Sequence, residues 1–384
     1  MSWRDRLRPS VHAGAPFRPF DYATAGAGLA RLDSNELPFT PDDEEMRTFQ
    51  DELARLALNR YPDVSGRPLR EALARRWQVA PDEILLGSGS EEIISILTLA
   101  FGAGDASGPA RVLYPDPTFN QYEALARAYG AVPTPVPLGE GFELDEGRFA
   151  DRIRQFSPAL AFFASPNNPT GNRFDPGALC RLASLADAAF VVDEAYADFV
   201  HPGSGGAATL IPEVRRVPGL FVMRSLSKIG LAGLRVGALI GPADAIAELD
   251  KVRLPWNVNV VSLALACATL RHPERLERRV RETIRLREQL AAALRAIAGL
   301  QVYPSDANFL LVRAPADAGA LFRGLFARGV LVKNVAAPGP LDRCLRITVG
   351  TALENARCVR ALRDVLGHAG DPFARPLAVR SIDG

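Results

Sequence analysis

The residues best suited to covalent chemistry stand close together, in the run Ser225-Leu226-Ser227-Lys228-Ile229-Gly230-Leu231-Ala232-Gly233-Leu234-Arg235. An apolar run, Leu220 to Met223, precedes them and predicts a buried strand that ends at a polar turn. An amine attacks a carbonyl carbon only as the neutral base, a state that burial or a neighbouring cation favours. Two hydroxyls and a guanidinium suit the oxygens of a phosphate, the arginine through a forked contact. Lys228 therefore reads as a covalent aldehyde site, with Ser225, Ser227 and Arg235 beside it as a phosphate site. Taken alone, S-x-S-K is a solvated lysine in a polar loop, because short motifs match by chance. Other segments have to decide.

Gly87-Ser88-Gly89-Ser90-Glu91-Glu92 follows one apolar run and opens another, Ile93 to Leu97. Bare N–H groups at Gly89 and Ser90 and the positive end of a helix would make an anion site. By itself this is a Gly/Ser turn capping a helix; beside Ser225, Ser227 and Arg235 it gains a purpose. Asp193-Glu194-Ala195-Tyr196 ends the strand predicted at Phe190–Val192, and ligands of open α/β sheets bind at the carboxyl ends of strands. Such an aspartate is a helix cap, a metal ligand or, beside a Schiff-base lysine, the carboxylate that keeps a pyridine nitrogen protonated. Tyr196 would then reach a ring hydroxyl. Ser165-Pro166-Asn167-Asn168-Pro169-Thr170-Gly171 also ends a strand, as a Pro-Gly turn or as a source of one amide for the ring. Phe119 is core or stacks on a planar ring. Arg346 is a lone charge in the apolar run Leu345–Val349, which calls for an anionic partner.

These residues need a scaffold that brings distant loops to one edge. Short apolar runs at Ile84–Leu86, Val112–Tyr114, Val132–Val136, Ala159–Ala164, Phe190–Val192, Leu220–Met223 and Val236–Ile240 are mostly separated by helix-length segments. That pattern predicts an α/β fold with a mainly parallel seven-stranded sheet buried on both faces. The last two runs are joined too briefly for a helical crossover, so one strand should be antiparallel. Residues 42–58 and about 66–77 predict helices. From about 272 an Arg/Glu-rich amphipathic helix runs to Gly299. Strands at Gln301–Tyr303, Phe309–Val312, Val330–Val332 and Leu345–Val349 follow, with a helix near 317–328 and a final one whose Thr351 and Glu354 are spaced as a capping box. The expected organisation is an arm over 1–40 packing with a smaller α+β domain at 271–366, a large domain at 41–270, and a tail at 367–384.

Composition narrows the function. With 384 residues, 48% hydrophobic and 23% charged, the chain is long enough for a deep core. A net charge of +1 gives no field for nucleic acid or an anionic membrane. No apolar run approaches the roughly 18 residues of a membrane span, and Met1–Ser10 has no secretory core. Cys180, Cys267, Cys344 and Cys358 are scattered without a C-x-x-C, so no metal site and a reducing, cytoplasmic setting are expected.

In combination, S-L-S-K with L-A-G-L-R-V-G, S-P-N-N-P-T-G, D-E-A-Y and L-R-I-T-V-G resemble the fold-type I pyridoxal-phosphate aminotransferases, from about residue 30 to 365. L-D-S-N-E-L-P-F, N-R-Y-P-D, G-S-G-S-E-E-I-I, S-D-A-N-F-L-L-V-R and G-V-L-V-K-N are most similar to members that transaminate histidinol phosphate with 2-oxoglutarate. The resemblance implies that Lys228 carries pyridoxal 5'-phosphate and shuttles a proton. It implies that Asp193 pairs with the ring nitrogen, that Asn168 and Tyr196 contact the ring oxygen, and that Phe119 stacks. Gly89, Ser90, Ser225, Ser227 and Arg235 would hold the phosphate, joined by Tyr61 from the partner of a homodimer. Arg346, Lys333, Asn35 and Phe17 would face substrate. Three positions depart from the family pattern: Leu37 in N-E-L-P, Phe17 for a tyrosine of the arm, and Lys333 for an arginine, which keeps charge but loses the fork. An aromatic aminotransferase and a decarboxylase of a phosphorylated amino acid share these motifs. A sensor domain of a transcription regulator would need a DNA-binding module ahead of the fold, and only about 30 residues precede the resemblance.

Overall fold

A computed structural model of the protein describes residues 6–7, 28–104, 108–201 and 208–367. The strands in chain order are β1 (Ala30–Leu32), β2 (Ile84–Ser88), β3 (Arg111–Asp116), β4 (Val132–Pro137), β5 (Leu160–Ala164), β6 (Ala189–Asp193), β7 (Leu220–Ser225), β8 (Val236–Ile240), β9 (Gln301–Val302), β10 (Phe309–Arg313), β11 (Val330–Asn334) and β12 (Cys344–Thr348). Seven form one sheet in the order β2-β8-β7-β6-β5-β3-β4. All neighbours run parallel except at β8, which is antiparallel to both β7 and β2. The short β7–β8 connection forces this reversal.

Period-two alternation assigns each strand residue to one of two apolar layers. Phe163, Phe190, Val192 and Val222 face one layer, and Phe162, Val191, Phe221 and Met223 face the other. Helices cover both faces, so β5, β6 and β7 are buried along their whole length. Asp193 therefore shares a face with Val191, whereas Glu194 and Arg224 belong to the opposite layer.

The second sheet has the order β1-β11-β12-β10-β9. Its core joins Leu32, Leu310, Val332 and Ile347 to Leu321, Leu325 and Leu362 of the helices Ala318–Ala327 and Ala352–Val365. The segment before the first helix contributes β1, which runs parallel to β11. The long helix Pro273–Arg295 ties the two sheets together. Leu276, Val280 and Ile284 pack into the large-sheet core, and Leu290, Ala291 and Leu294 into the small-sheet core. It ends at Arg295, short of Gly299, which takes a left-handed φ of +80° in the turn leading to β9. The Thr351–Glu354 capping box forms as expected. The helix expected over 42–58 stops at Ala54, and residues 55–66 form the loop that carries Tyr61.

Candidate active site

The carboxyl ends of β3, β5, β6 and β7 lie along one edge of the large sheet and supply four of the segments singled out above. Lys228 sits in a single tight turn, Ser227–Ile229, immediately after β7. The Leu226 N–H donates to Val236 O at 3.0 Å and the Leu231 N–H to Leu226 O at 3.2 Å, pinning the turn against β8. Lys228 Nζ lies 5.8 Å from the centroid of the Tyr196 ring, and among the described residues it makes no hydrogen bond or ion pair. A half-buried amine with no carboxylate clamped to it is available for covalent chemistry.

The residues read from the sequence as a phosphate site stand close together. The Ser227 N–H donates to Ser225 Oγ at 3.2 Å, and Arg235 Nη1 reaches Ser227 Oγ at 3.4 Å. Arg235 Nη2 donates to Glu91 Oε2 at 2.9 Å, in the first turn of helix Ser90–Phe101. Gly89 caps that helix at φ +82°, and a β-carbon there would stand 2.5 Å from Arg235 Nη2. One at Gly237, the β8 residue opposite Ser225, would stand 2.6 Å from the Gly89 carbonyl carbon. Two glycines thus let a strand, a helix N-terminus and a guanidinium meet, a set of donors suited to a phosphate.

Asp193, at the end of β6, is 6% exposed. Its Oδ1 accepts the Ala195 N–H at 3.0 Å and its Oδ2 accepts the Tyr122 hydroxyl at 2.7 Å. Burial pushes its carboxyl above the ordinary aspartate value, against the opposing pull of Tyr122, Ala195 and Lys228. A buried carboxylate in this condition is matched by a cationic partner such as a protonated ring nitrogen.

Asn168 Oδ1 accepts Arg346 Nη1 at 2.6 Å, so its amide N–H groups remain to donate. Asn35 Nδ2 donates to the Tyr196 hydroxyl oxygen at 2.8 Å, which leaves the Tyr196 proton to donate elsewhere. These two side chains thus both offer donors, suited to an anionic ring oxygen. Asn167 is committed to structure: its Nδ2 donates to Pro117 O and Thr170 Oγ1, and its Oδ1 accepts Thr118 Oγ1 at 2.6 Å. Phe119 is half-buried and meets the Tyr122 ring edge-on at 5.7 Å.

Arg346 projects from β12 of the small sheet. Its Nη2 donates to Asp33 O, its guanidinium stacks 5.5 Å from the Phe309 ring, and its buried Nε has no partner. Burial pulls its pKa below the ordinary arginine value. Lys333 is exposed on β11 and stands directly opposite Arg346 in the antiparallel register, so both side chains leave the same face. Asn35 is 1% exposed, with a left-handed φ of +55°. Its side chain donates to the Tyr196 hydroxyl and accepts Thr348 Oγ1 at 3.1 Å, so it joins Tyr196 to the small sheet. Leu37 packs 3.7 Å from where a Gly230 β-carbon would lie, two residues past Lys228. Tyr61 is 77% exposed and stacks on Trp256 at 4.3 Å, without a hydrogen bond or ring contact to the Lys228 cluster of its own chain. Phe17 lies outside the described residues.

Sequence reasoning missed Tyr122 and a buried ion network behind Asp193. Arg224 Nη1 donates to Glu194 Oε2 at 3.1 Å and Nη2 to Asp198 Oδ2 at 2.7 Å, while Arg76 reaches Asp198 at 3.0 Å. The signal for the network was present, since Arg224 is a charge inside an otherwise apolar strand, as Arg346 is. Tyr122 carried only a weak one, its position three residues past Phe119. Among the described residues no His/Cys/Asp/Glu group could hold a metal ion, and no helix is long and apolar enough to cross a membrane.

The family model of aminotransferase class I and II matches residues 28–364. Histidinol-phosphate aminotransferase 2 of Nitrosococcus oceani is 40% identical over 362 residues, covering 93% of this chain and 96% of that protein. The fold matches the histidinol-phosphate aminotransferase of Sinorhizobium meliloti, solved with pyridoxal-5'-phosphate, at a TM-score of 0.82 and 23% identity, over 94% of this chain and 98% of that one. It also matches L-threonine-O-3-phosphate decarboxylase of Porphyromonas gingivalis at a TM-score of 0.74 and 23% identity, over 88% of this chain and 99% of that one, a likeness of fold alone. The donor-rich cradle, the buried aspartate and the free lysine fit the same cofactor, and the chain belongs to the class I and II aminotransferases, pyridoxal-phosphate enzymes of fold type I.

Proposed function

We propose that the protein transfers the amino group of L-histidinol phosphate to 2-oxoglutarate, giving imidazole acetol phosphate and L-glutamate, as a cytoplasmic homodimer of histidine biosynthesis. The observation that carries this reading is the 40% identity to a histidinol-phosphate aminotransferase over nearly the whole chain, joined to a site with two cations on one face. A decarboxylase shares the fold, so fold does not separate the two readings.

Each residue has a role that its surroundings support. Gly89, Ser90, Ser225, Ser227 and Arg235 would hold the cofactor phosphate; Arg235 exchanges its exposed pair with Glu91 for a forked contact at small cost. Asp193 would face the ring nitrogen, Asn168 and Tyr196 would donate to the ring oxygen, and Phe119 would cover the ring. When bound, pyridoxal phosphate supplies the electron sink that stabilises negative charge at the amino-bearing carbon. Lys228 Nζ would be the point of covalent attachment and, as a free amine, would take the proton from that carbon and hand it on. Arg346 would receive the glutamate carboxylate or the phosphate of the other substrate, with Lys333 beside it for the extra charge of phosphate. Tyr61, exposed on its loop, would reach the cofactor phosphate of the partner subunit.

Borohydride reduction of the loaded protein followed by peptide mapping tests the assignment. The label belongs on Lys228; a label on another lysine would remove the basis of the mechanism.

A further inference from the structure

Asp193 has a partner that the reading above leaves unused. Tyr122 lies in the first turn of helix Gln121–Tyr129, is fully buried, and donates its hydroxyl to Asp193 Oδ2 at 2.7 Å. Its ring cannot swing away. It stacks on Phe162 of β5 with centroids 4.7 Å apart and planes 2° apart, and Phe119 closes its edge at 5.7 Å. Asp193 Oδ1 is held at 3.0 Å by the Ala195 N–H. Each carboxylate oxygen therefore has one fixed donor, and the two donors come from different elements. Together they set the carboxylate plane and leave only the outward lone pairs for a ligand.

The charged and titratable groups coupled to this carboxylate are Lys228, from the turn after β7, Glu91, from helix Ser90–Phe101, and Arg224 of β7; Tyr196 faces Tyr122. Lys228 favours the anion and Glu91 opposes it. Burial and the neighbouring Asp193 charge push the Tyr122 hydroxyl well above the ordinary tyrosine value, so it stays a donor wherever the enzyme works.

We propose that Tyr122 is the positioning residue of this site: its hydroxyl fixes the Asp193 carboxylate in one rotamer and holds it ionised toward the ring nitrogen of the cofactor. This rests on the assignment of Asp193 to that nitrogen. The hydroxyl does not touch the reacting atoms; it acts through Asp193, and its effect has to vanish when no carboxylate is there to hold.

The test is Tyr122→Phe, which keeps the ring stacked on Phe162 and removes only the donor. In the holoenzyme with glutamate, kcat should fall about ten- to a hundredfold, the worth of a hydrogen bond to a charged group, with little change in KM. In protein loaded with pyridoxal phosphate labelled with nitrogen-15 in the ring, the ring-nitrogen resonance should move from the protonated toward the unprotonated position. In an Asp193→Asn background the same substitution should cost less than about twofold, since the coupling is gone. Equal losses in both backgrounds, or an unmoved resonance, would show that Tyr122 only fills the core, and would overturn the proposal. A near-normal rate for Asp193→Asn alone would overturn the Asp193 assignment and the proposal with it. A large loss for Asp193→Asn beside an unmoved resonance in Tyr122→Phe overturns only the proposal.

Discussion

Replacing Arg346 should damage two things at once, and the structure says by how much. The guanidinium has five N–H donors. Nη1 holds Asn168 Oδ1 at 2.6 Å, Nη2 holds Asp33 O, and the buried Nε has no partner. An incoming carboxylate therefore meets an arginine already fixed in place by the protein, with donors to spare. Arg346→Ala removes the anion contact and also frees the Asn168 amide. A hydrogen bond to a charged group is worth about 1.5–3 kcal/mol, so KM for glutamate should rise roughly ten- to a hundredfold. The lost anchor on Asn168 adds a fall in kcat of about tenfold, from one misplaced donor to the ring oxygen. Arg346→Lys keeps the charge but cannot serve Asn168, Asp33 and a ligand together, so it should recover KM only in part and kcat hardly at all. Steady-state kinetics of both half-reactions, with glutamate and with histidinol phosphate, read this directly. Unchanged KM values for both substrates in Arg346→Ala would refute the assignment. A change in KM with kcat intact would refute the coupling through Asn168.

Arg224→Met should strand the buried Glu194 and leave Asp198 to Arg76 alone, at a cost of about 3–5 kcal/mol by chemical denaturation. Burial alone would raise the Asp198 carboxyl, but Arg224 and Arg76 outweigh it and hold it below its ordinary value of 3.8. Its contribution to stability is therefore present above that pH and is lost as pH falls through the lower folded value, so removing Arg224 should move acid unfolding to higher pH. Lys333→Ala should raise KM for histidinol phosphate about ten- to a hundredfold and for glutamate little, since only phosphate carries the second charge; equal losses would mean general damage. Lys228→Ala and Tyr61→Phe subunits, each impaired alone, should regain activity when mixed and refolded as heterodimers, because one of the two sites then carries neither change; a fully active monomer in sedimentation would sink the exchange of Tyr61.

The buried parallel strands were legible because each is an unbroken apolar run, and β8 betrayed its reversal through the short link from β7. The Lys228, Asp193 and Gly89 segments were legible because strand ends and helix starts sit at fixed places in the pattern. Boundaries were less so: the helix from Pro273 ends at Arg295, before Gly299, and Ile297 and Leu300 of the turn that follows pack into the small-sheet core. Partner choice was the hidden part. Asn35 was read as facing substrate, and its side chain also bonds Tyr196 and Thr348. Arg346 called for an anion and also found Asn168 and the Asp33 carbonyl. Such pairings join residues more than a hundred positions apart, which no local spacing encodes. The direct opposition of Lys333 and Arg346 likewise depends on sheet register.

The most direct test is the absorbance of the purified, cofactor-loaded protein during single half-reactions. Histidinol phosphate and glutamate, each added alone, should convert the bound cofactor from its aldehyde to its amine form, and 2-oxoglutarate should restore it, with phenylalanine much slower. Conversion by phenylalanine as fast as by histidinol phosphate, or release of carbon dioxide from phosphothreonine without any amine form, would contradict the account.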